Sequence, residues 1–375
     1  MARNRVIYQS EALYISDDAS KTASGEHKQL HRVQSANYNF SIARTDINQY
    51  GQLGRLDSIV LESPTVGVDF SYYLHDGTNE VNLGFADSTD FTDNNSVGFL
   101  SGHFVEGSGK NLYIVTSPEG QDVNIQAETS TGYSTIGIGN AYLTDYSLEA
   151  SVGSIPTVSV SMEGLNINGD AAVSGSTAAI SGITSPAVNQ ISGTDFTSDD
   201  VVLPPPSALT GSVAALRPGD IVIDFGAAAT SGTKGPIATL GDDASSSHIQ
   251  SLSLNTSVSR TPIERLGSRF AYARPADFPV TASLSISAIV NDITAASLND
   301  IIDDEIGSNI TITFKKPGAA GAAQAAYQLK NAKLDSESFS SSIGSNKSVD
   351  LTFSCSIGGP SDTTNNVFFS GLAGD

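Results

Sequence analysis

The chain contains one stretch of sequence twice. Residues 33–53, VQSANYNFSIARTDINQYGQL, align without a gap to residues 249–269, IQSLSLNTSVSRTPIERLGSR, at an offset of 216 positions. Eight of the 20 residue pairs from Gln34 onward are identical. Because a duplicated segment implies a duplicated structural unit, this repeat limits the folds that the chain can adopt.

A second repeated block follows in the same order. Residues 140–158, NAYLTDYSLEASVGSIPTV, align to residues 331–349, NAKLDSESFSSSIGSNKSV, at an offset of 191, and eight pairs are again identical. The smaller offset means that the first copy carries 25 more residues between its two blocks. We therefore predict two tandem β-domains, residues 1–165 and 216–360, an intervening segment, residues 166–215, and a tail, residues 361–375.

Alternating apolar and polar residues predict strands in both copies. In residues 33–43, aromatic and aliphatic side chains alternate with Asn and Ser, which predicts a long strand with two different faces. Residues 65–74 and 282–290 keep the same alternation at the offset of 216, so the same faces are buried in both copies. A Gly-Ser pair at residues 153–154 and 344–345 separates two alternating runs, which predicts a hairpin in each copy.

A short helix is predicted beside each set of strands. Residues 292–305 carry apolar side chains at helical spacing, with Thr294 as a candidate N-cap and Gly307 just past the end. The first copy has a weaker counterpart at residues 79–85, followed by a turn-rich insertion at residues 86–95. The prediction is thus a mainly-β chain of two barrel or sandwich domains, each with a short flanking helix.

Two segments lie outside the repeats. Residues 166–215 are rich in Ala, Ser, Gly and Thr and contain few large apolar residues, which predicts a linker or an extended surface excursion. The polar tail contains a cluster of Val367, Phe368 and Phe369. Because an apolar cluster in a tail is typical of a docking arm, we predict that Phe368 and Phe369 contact another subunit.

The acidity of the chain limits its partners. The 375 residues carry a formal net charge of −21 and include no Trp. Proteins that grip nucleic acid need clusters of Lys and Arg, whereas an acidic surface can surround DNA without adhering to it. The sequence contains no apolar run of about 18 residues, so it predicts no membrane-spanning helix. Residues 1–10 lack the apolar run of a signal peptide. Assembly in a cytoplasm is the expectation.

No motif indicates an enzyme, a cofactor or a metal site. The Gly-Ser-Gly-Lys sequence at residues 107–110 lacks the spacing of a Walker loop, and a turn is the simpler interpretation. The five histidines lack metal-ligand spacing, and the acidic pairs lack the alternation of a calcium loop. No G-x-S-x-G sequence marks a nucleophile. Cys355 is the only cysteine, so no intrachain disulfide can form, and we expect it to pack as a small apolar residue.

One pair of repeated basic residues is a candidate contact site. Arg44 and Arg260 each precede a Thr at the end of the same predicted strand. Two interpretations remain open. Both arginines could stabilise a local salt bridge or turn, or each could pair with a carboxylate of a neighbouring subunit in a ring.

Three stretches near the N-terminus resemble a known family. They are residues 1–16, MARNRVIYQSEALYIS, residues 30–53, LHRVQSANYNFSIARTDINQYGQL, and residues 64–74, PTVGVDFSYYL. Together they resemble the tail tube (major tail) proteins of long-tailed bacteriophages. The resemblance is best over residues 1–75 and reaches residues 216–357 through the repeat. It implies tube-type β-domains that form six-fold rings, which stack into a hollow tube; the inner tube of type VI secretion is similar.

Some members of that family carry two tandem tube units and form trimeric, pseudo-hexameric rings. The resemblance therefore implies a virion tail protein, assembled in the host cytoplasm, whose acidic lumen conducts DNA without specific binding. Further partners would be a terminator, a tape measure and a baseplate or tip protein. Physically, a ring pairs the sheet edges that a single β-domain leaves open. The alternatives are a capsid decoration or fibre protein, and a carbohydrate-binding or hydrolytic β-sandwich, which the absence of Trp disfavours.

Overall fold

A computed structural model of the chain shows a mainly-β protein, which confirms the predicted fold class. Within the described residues, no helix is long and apolar enough to cross a membrane. The structure describes residues 11–17, 26–88, 91, 96–105, 107–117, 123, 130–175, 179–188, 200–207, 215–225, 238–239, 248–290, 292–293, 298, 307–316, 323–344 and 346–371.

Strands account for most of the described residues in the first half of the chain. One short helix, α1 (Thr78–Leu83), and one turn of 3-10 helix, Ser101–His103, lie among them. The strands are β1 (Glu11–Asp17), β2 (His27–Leu30), β3 (Val33–Ser41), β4 (Arg44–Ile47), β5 (Asp57–Val60), β6 (Thr65–Tyr73), β7 (Lys110–Thr116), β8 (Ser130–Ser151), β9 (Thr157–Gly164), β10 (Asn166–Gly175), β11 (Ile180–Thr184) and β12 (Asp200–Leu203).

The second half of the chain also consists mainly of strands. It opens with a 3-10 turn, Pro218–Asp220. Its strands are β13 (Ile221–Asp224), β14 (Ala238–Thr239), β15 (Ile249–Ser257), β16 (Val280–Ile289), β17 (Asp292–Ile293), β18 (Ser308–Lys315), β19 (Ala323–Ser340), β20 (Ser348–Ile357) and β21 (Val367–Gly371).

Hydrogen bonds join 17 of these strands into three connected sheets. The central sheet has the order β3-β6-β9-β8-β15-β16-β20-β19. The first flanking sheet has the order β12-β11-β10-β8-β7-β1-β2, and the second has the order β21-β19-β18-β13. Neighbouring strands are antiparallel, and the pairings among the described residues do not close a barrel.

The strand registers of the two halves match. Ser35 of β3 pairs with Ser71 of β6, and Ser251 of β15 pairs with Ser287 of β16, both 216 positions later. The four strands β3, β6, β9 and β8 therefore correspond in order to β15, β16, β20 and β19. We refer to β1–β10 with α1 as unit one and to β13–β21 as unit two.

Two long strands, β8 and β19, pass from a flanking sheet into the central sheet. Each changes direction at an asparagine with positive φ, which is 51° at Asn140 and 57° at Asn331. Asparagine enters this left-handed region more readily than most residues. The backbone N–H of Asn140 donates to Asn111 Oδ1 at 3.0 Å, and that of Asn331 donates to Asn309 Oδ1 at 3.2 Å. The asparagine is thus conserved between the two copies of the repeat where both long strands need a residue with positive φ.

The apolar faces of the sheets enclose one core that continues through both units. At its centre, the Tyr146 hydroxyl of unit one lies 2.7 Å from the Tyr327 hydroxyl of unit two. The Tyr72 hydroxyl donates to Glu80 Oε1 at 2.8 Å, and the Tyr146 hydroxyl lies 3.4 Å from the same oxygen. All four side chains are buried, so this network ties α1 and both units together.

The segment predicted as a linker or surface excursion, residues 166–215, contains three strands of the first flanking sheet. β10 pairs with β8, β11 with β10, and β12 with β11. Ile180, Ile183, Val201 and Leu203 pack with side chains of β1, β7 and β8 in a second, smaller core. The sequence interpretation missed these strands because the few large apolar residues of β10 and β11 are spread among small and polar residues, and β12 is only four residues long.

The predicted C-terminal tail also contains a strand. β21 pairs with β19, so that Val367 faces Leu329, as Ile167 of β10 faces Ile138 of β8. Since Leu329 and Ile138 are repeat counterparts, β21 and β10 are the final strands of their units. The boundaries predicted at residues 165 and 360 each fall before this last strand. A longer connection between β20 and β21 than between β9 and β10 hid the correspondence from an ungapped alignment.

Phe368 and Phe369 are therefore core residues, which corrects the prediction of a docking arm. Both are fully buried within the chain. The Phe369 ring centroid lies 4.9 Å from that of Tyr327 and 5.7 Å from that of Phe99, and Lys330 Nζ lies 5.0 Å from the centroid of the Phe368 ring. A ring that is enclosed by its own chain has no surface left for a contact with another subunit.

The helix predictions have different outcomes. α1 lies where the weaker counterpart was predicted, between Gly77 and Gly84, which both have positive φ. In the second copy, Asp292 and Ile293 form β17, which pairs with β14. Nearly all of the remaining predicted helix, residues 294–297 and 299–305, lies outside the described residues.

We predict that Phe369→Ala lowers the free energy of unfolding by about 3–5 kcal/mol, because it leaves a cavity in the shared core. Chemical denaturation of the purified protein measures this loss. Leu53→Ala, at a fully exposed position, serves as the control and should change the stability by no more than about 0.5 kcal/mol. Equal stabilities for the two variants would contradict the burial of Phe369.

We predict that Glu80→Gln gains stability relative to the wild type as the pH rises from about 4 to 7. Burial raises the pKa of the Glu80 carboxyl above its ordinary value of 4.5, an effect that the hydrogen bond from Tyr72 partly offsets. The folded chain thus holds this proton more tightly than the unfolded chain. The resulting stabilisation is complete below pH 4.5 and is lost as the pH rises through the folded-state pKa, whereas glutamine has no proton to lose.

Urea unfolding of both proteins at several pH values measures the difference. Glu149→Gln is the control for the removal of one exposed carboxylate. A stability difference between Glu80→Gln and wild type that does not change with pH would contradict the prediction.

Candidate functional site: two open sheet edges

The described residues offer neither a cluster of metal ligands nor an exposed thiol. No group of three or more His, Cys, Asp or Glu side chains among them is placed to hold a metal ion. The Cys355 thiol is buried, and burial raises its pKa to about 12, so this sulfur stays protonated at neutral pH. The features that remain are surfaces, and the most distinctive of these are the edges of the central sheet.

Inside the chain, one edge of unit one is joined to one edge of unit two. The C-terminal half of β8 pairs with β15 over seven consecutive residue pairs. At one end of this internal junction, the Val258 N–H donates to the Thr144 carbonyl at 2.8 Å. At the other end, the Val152 N–H donates to the Gln250 carbonyl at 2.9 Å. Antiparallel pairing of this length satisfies both strand edges completely.

The other two edges of the central sheet have no partner strand in the part of the chain that the structure describes. β3 pairs only with β6, and the C-terminal half of β19 pairs only with β20, as far as the described residues extend. β3 is the repeat counterpart of β15, and β19 is the counterpart of β8. The open edges are therefore a second copy of the two edges that the internal junction joins.

Apolar side chains on the open edges are exposed, whereas their counterparts in the internal junction are buried. Tyr38 on β3 is 43% exposed, and its counterpart Leu254 is 0% exposed. Phe339 on β19 is 48% exposed, and its counterpart Leu148 is 0% exposed. Exposed apolar side chains along an unpaired edge strand favour association with another chain. The same difference holds for Phe40 and Ile42, whose counterparts are Thr256 and Val258.

The face of the central sheet that points away from the core is polar and acidic. Serine, threonine and asparagine occupy most of its positions. Among the described strand residues, the one basic side chain on this face is Lys333, at the start of the central part of β19. A depression of about 520 Å³ runs across β9, β8, β15, β16 and β20. The acids on this face are Asp69, Asp145, Glu149, Glu163 and Asp350.

A hairpin arm projects from each unit between two strands of the central sheet. Arm 1, residues 42–64, contains β4 and β5, and arm 2 spans residues 258–279. Arg44 pairs with Val60 in arm 1, and their counterparts Arg260 and Ala276 form a bridge in arm 2. The tips are apolar and fully exposed in both arms, at Tyr50 and at its counterpart Leu266.

Arm 2 lies against unit one of its own chain, and Arg260 is at the centre of this contact. Its Nη1 donates to the Arg274 carbonyl at 2.8 Å, and its Nη2 donates to the His103 carbonyl at 2.5 Å. The guanidinium carbon lies 5.0 Å from the centroid of the Tyr142 ring. Arg274 Nη1 also contacts Glu163 Oε1 at 2.8 Å. Arg260 therefore bonds its own arm and also links the two units.

The two arginines predicted as contact residues lie in different environments. Arg260 is half-buried and bonds carbonyl oxygens of its own chain rather than a carboxylate. The pairing of either arginine with a carboxylate of a neighbouring subunit stays a prediction. Arg44 is exposed on arm 1, where no hydrogen bond or ion pair joins its side chain to another described residue. The sequence interpretation assigned Tyr38, Phe40 and Ile42 to one strand face but did not identify β3 as an open edge. The missing information was which strands are neighbours in the sheet.

Comparisons with known proteins add little to this description. No protein-family model and no curated protein matches the chain. Among solved structures, the chain is similar to the anti-feeding prophage cap, a tube-terminating cap, with a TM-score of 0.28 and 13% identity over 48% of this chain and 100% of that chain. It is also similar to a chain of the anti-feeding prophage baseplate, with a TM-score of 0.23 and 16% identity over 34% of this chain and 81% of that chain. Alignments at these scores support no argument about function.

Proposed function

We propose that this protein is a structural subunit of a bacteriophage tail tube, in which three chains form a ring and the rings stack. The internal junction between β8 and β15 carries the proposal, because the open edges β19 and β3 are repeat copies of the strands that it joins. Two chains can therefore pair through the same type of junction that already exists inside each chain. The resemblance to tail tube proteins implies six units in a ring, which corresponds to three of these chains.

The register of the junction between chains follows from the internal register. Each β15 residue is replaced by the β3 residue 216 positions earlier, and each β8 residue by the β19 residue 191 positions later. Pairing in this register buries the exposed apolar side chains of both edges, as it does inside the chain. The transferred pairs are Asn37–Ser340, Tyr38–Phe339, Asn39–Ser338, Phe40–Glu337 and Ser41–Ser336.

The acidic face of the central sheet is the proposed wall of the lumen. The opposite face of this sheet packs on the core and the flanking sheets, so only the polar face is free to line a central hole. Carboxylates without a cluster of basic side chains repel DNA phosphates and give no grip on the backbone. In this proposal the tube conducts DNA without specific binding and has no enzymatic activity.

The exposed arm tips are the proposed contacts between stacked rings. Arm 2 has its base packed on unit one, yet Leu266 at its tip remains fully exposed, as Tyr50 does in arm 1. A ring would thus present six apolar tips on its rim. Other tail proteins, namely a terminator, a tape measure and a baseplate or tip protein, are further partners in this proposal, and the virion tail is the location.

Electron microscopy of the purified protein tests the proposal directly. Rings or tubes with a central hole and three chains per ring are the expected result, and mass photometry counts the chains. Compact trimers that never stack would favour the alternative of a capsid decoration or fibre protein. A protein that stays monomeric at high concentration would contradict the proposal.

We predict that the double variant Asn39→Cys with Ser338→Cys forms disulfides between chains and yields covalent oligomers up to the trimer. In the internal junction, the backbone bonds of Val152 and Val258 show that the counterparts of Asn39 and Ser338 form a pair without ladder hydrogen bonds. Side chains are closest at such pairs, with Cβ atoms about 4.5–5.5 Å apart. Oxidation followed by non-reducing electrophoresis measures the product.

The matched control is Asn37→Cys with Ser338→Cys, which moves one thiol two residues out of register to a distance of about 7–8 Å. Its disulfide yield should be much lower. The native Cys355 is buried and contributes little background. Equal yields from both variants would contradict the proposed register, and the absence of oligomers from both would contradict the edge contact itself.

We predict that Tyr50→Ser combined with Leu266→Ser leaves ring formation intact but shortens or abolishes tubes. The substitutions remove two fully exposed apolar side chains without touching the sheet edges. Electron microscopy measures tube length. Ile343→Ser, another fully exposed apolar side chain, is the control, since it lies in a hairpin turn rather than on an arm. Tubes of normal length from the arm variant would exclude this role for the tips.

A further inference from the structure

The contact between arm 2 and unit one is a template for a contact between chains. Within the chain, Arg260 and Thr144 line one cavity of about 350 Å³, together with Tyr142 and Val258. The backbone bond from Val258 to Thr144, which ends the internal junction, lies beside this cavity. Strand pairing thereby determines the position of the arginine relative to Thr144 of β8.

The repeat offsets identify which residues meet at the corresponding place between two chains. On one chain, Arg44 takes the position of Arg260, and Ile42 takes that of Val258. On the other chain, Asp335 takes the position of Thr144, and Lys333 takes that of Tyr142. The Ile42 N–H then faces the Asp335 carbonyl, and the Arg44 side chain lies beside Asp335.

The charges at this place differ from those of the internal junction. Arg260 interacts with an aromatic ring and with carbonyl oxygens, whereas Arg44 would meet one acid and one base. Lys333 cannot offer the cation–π contact that Tyr142 provides, and it repels a guanidinium. Asp335 is exposed, and its Oδ1 accepts a hydrogen bond from the Ser354 hydroxyl at 2.9 Å. A carboxylate can accept several further bonds, so Asp335 has capacity for a guanidinium.

We infer that Arg44 forms an ion pair with Asp335 of a second copy of this chain at each junction between chains. The inference rests on the proposed ring and adds to it a charged contact that the internal junction does not have. An arginine and a carboxylate at the edge of a paired sheet give a charge-assisted hydrogen bond with directional geometry. Of the two roles considered for the repeated arginines, this inference assigns the pairing with a carboxylate of a neighbouring subunit to Arg44 alone.

Charge reversal tests the ion pair. Asp335→Arg places three cations together, namely the new arginine, Arg44 and Lys333, and it should weaken the association of chains by about tenfold. Arg44→Glu places two carboxylates together and should also weaken association. The double variant Arg44→Glu with Asp335→Arg restores opposite charges and should regain most of the lost association. Mass photometry over a range of protein concentrations measures the trimer fraction.

The control is Arg55→Glu on the same arm. Arg55 Nη1 already contacts Asp46 Oδ1 of its own arm at 2.9 Å, so its reversal should leave the association of chains unchanged. Circular dichroism of each variant checks that the fold is retained.

The outcomes separate this inference from the proposed function. Suppose that the wild type forms trimers, but the double variant loses as much free energy of association as the two single variants lose together. The ion pair is then overturned, while the ring stands. The ion pair would also be overturned if Arg55→Glu weakened the association of chains as much as Arg44→Glu does. If the wild type and the Asn39→Cys, Ser338→Cys variant both remain monomeric, the ring itself fails, and the ion pair fails with it.

Discussion

The antiparallel pairing of β8 with β15 is the interaction on which the rest of this structure depends. It joins two units of the same kind into one eight-stranded sheet and buries Leu148 and Leu254 between them. A junction between repeats leaves the complementary edges, β3 and β19, at the two ends of that sheet. The internal pairing therefore satisfies one edge of the central sheet in each unit, and our proposal that sister chains satisfy the other two edges follows from the same geometry.

The local chemistry that makes the junction possible lies in the long strands. Asn140 and Asn331 let β8 and β19 turn out of a flanking sheet and continue along the central sheet. Each strand thus belongs to a flanking sheet with one half and to the central sheet with the other. The Glu80, Tyr146 and Tyr327 side chains then link the two units inside the core.

The sequence predicted the repeat, the central strands and both hairpins. Successive side chains of a strand point to opposite faces, so an alternating pattern indicates strands directly, and the ungapped alignment finds that pattern in both copies. It did not predict β10, β11, β12 and β21. β11, β12 and β21 are only four or five residues long, and β10 is longer but contains many small residues, so none of them has a clear alternating pattern of its own. For the same reason the sequence placed Phe368 in a docking arm. An apolar cluster has the same sequence pattern whether it packs on another subunit or on β19 of its own chain.

By itself, the sequence determined that one stretch occurs twice, which faces of the repeated strands are apolar, and that the chain carries a formal net charge of −21. It also marked the repeated arginines as equivalent. Only the tertiary structure decided that these arginines differ, because Arg260 lies against the first unit of its own chain whereas Arg44 faces solvent. The reason is that sequence records the residues of each edge, while the neighbour of an edge depends on how distant segments pack.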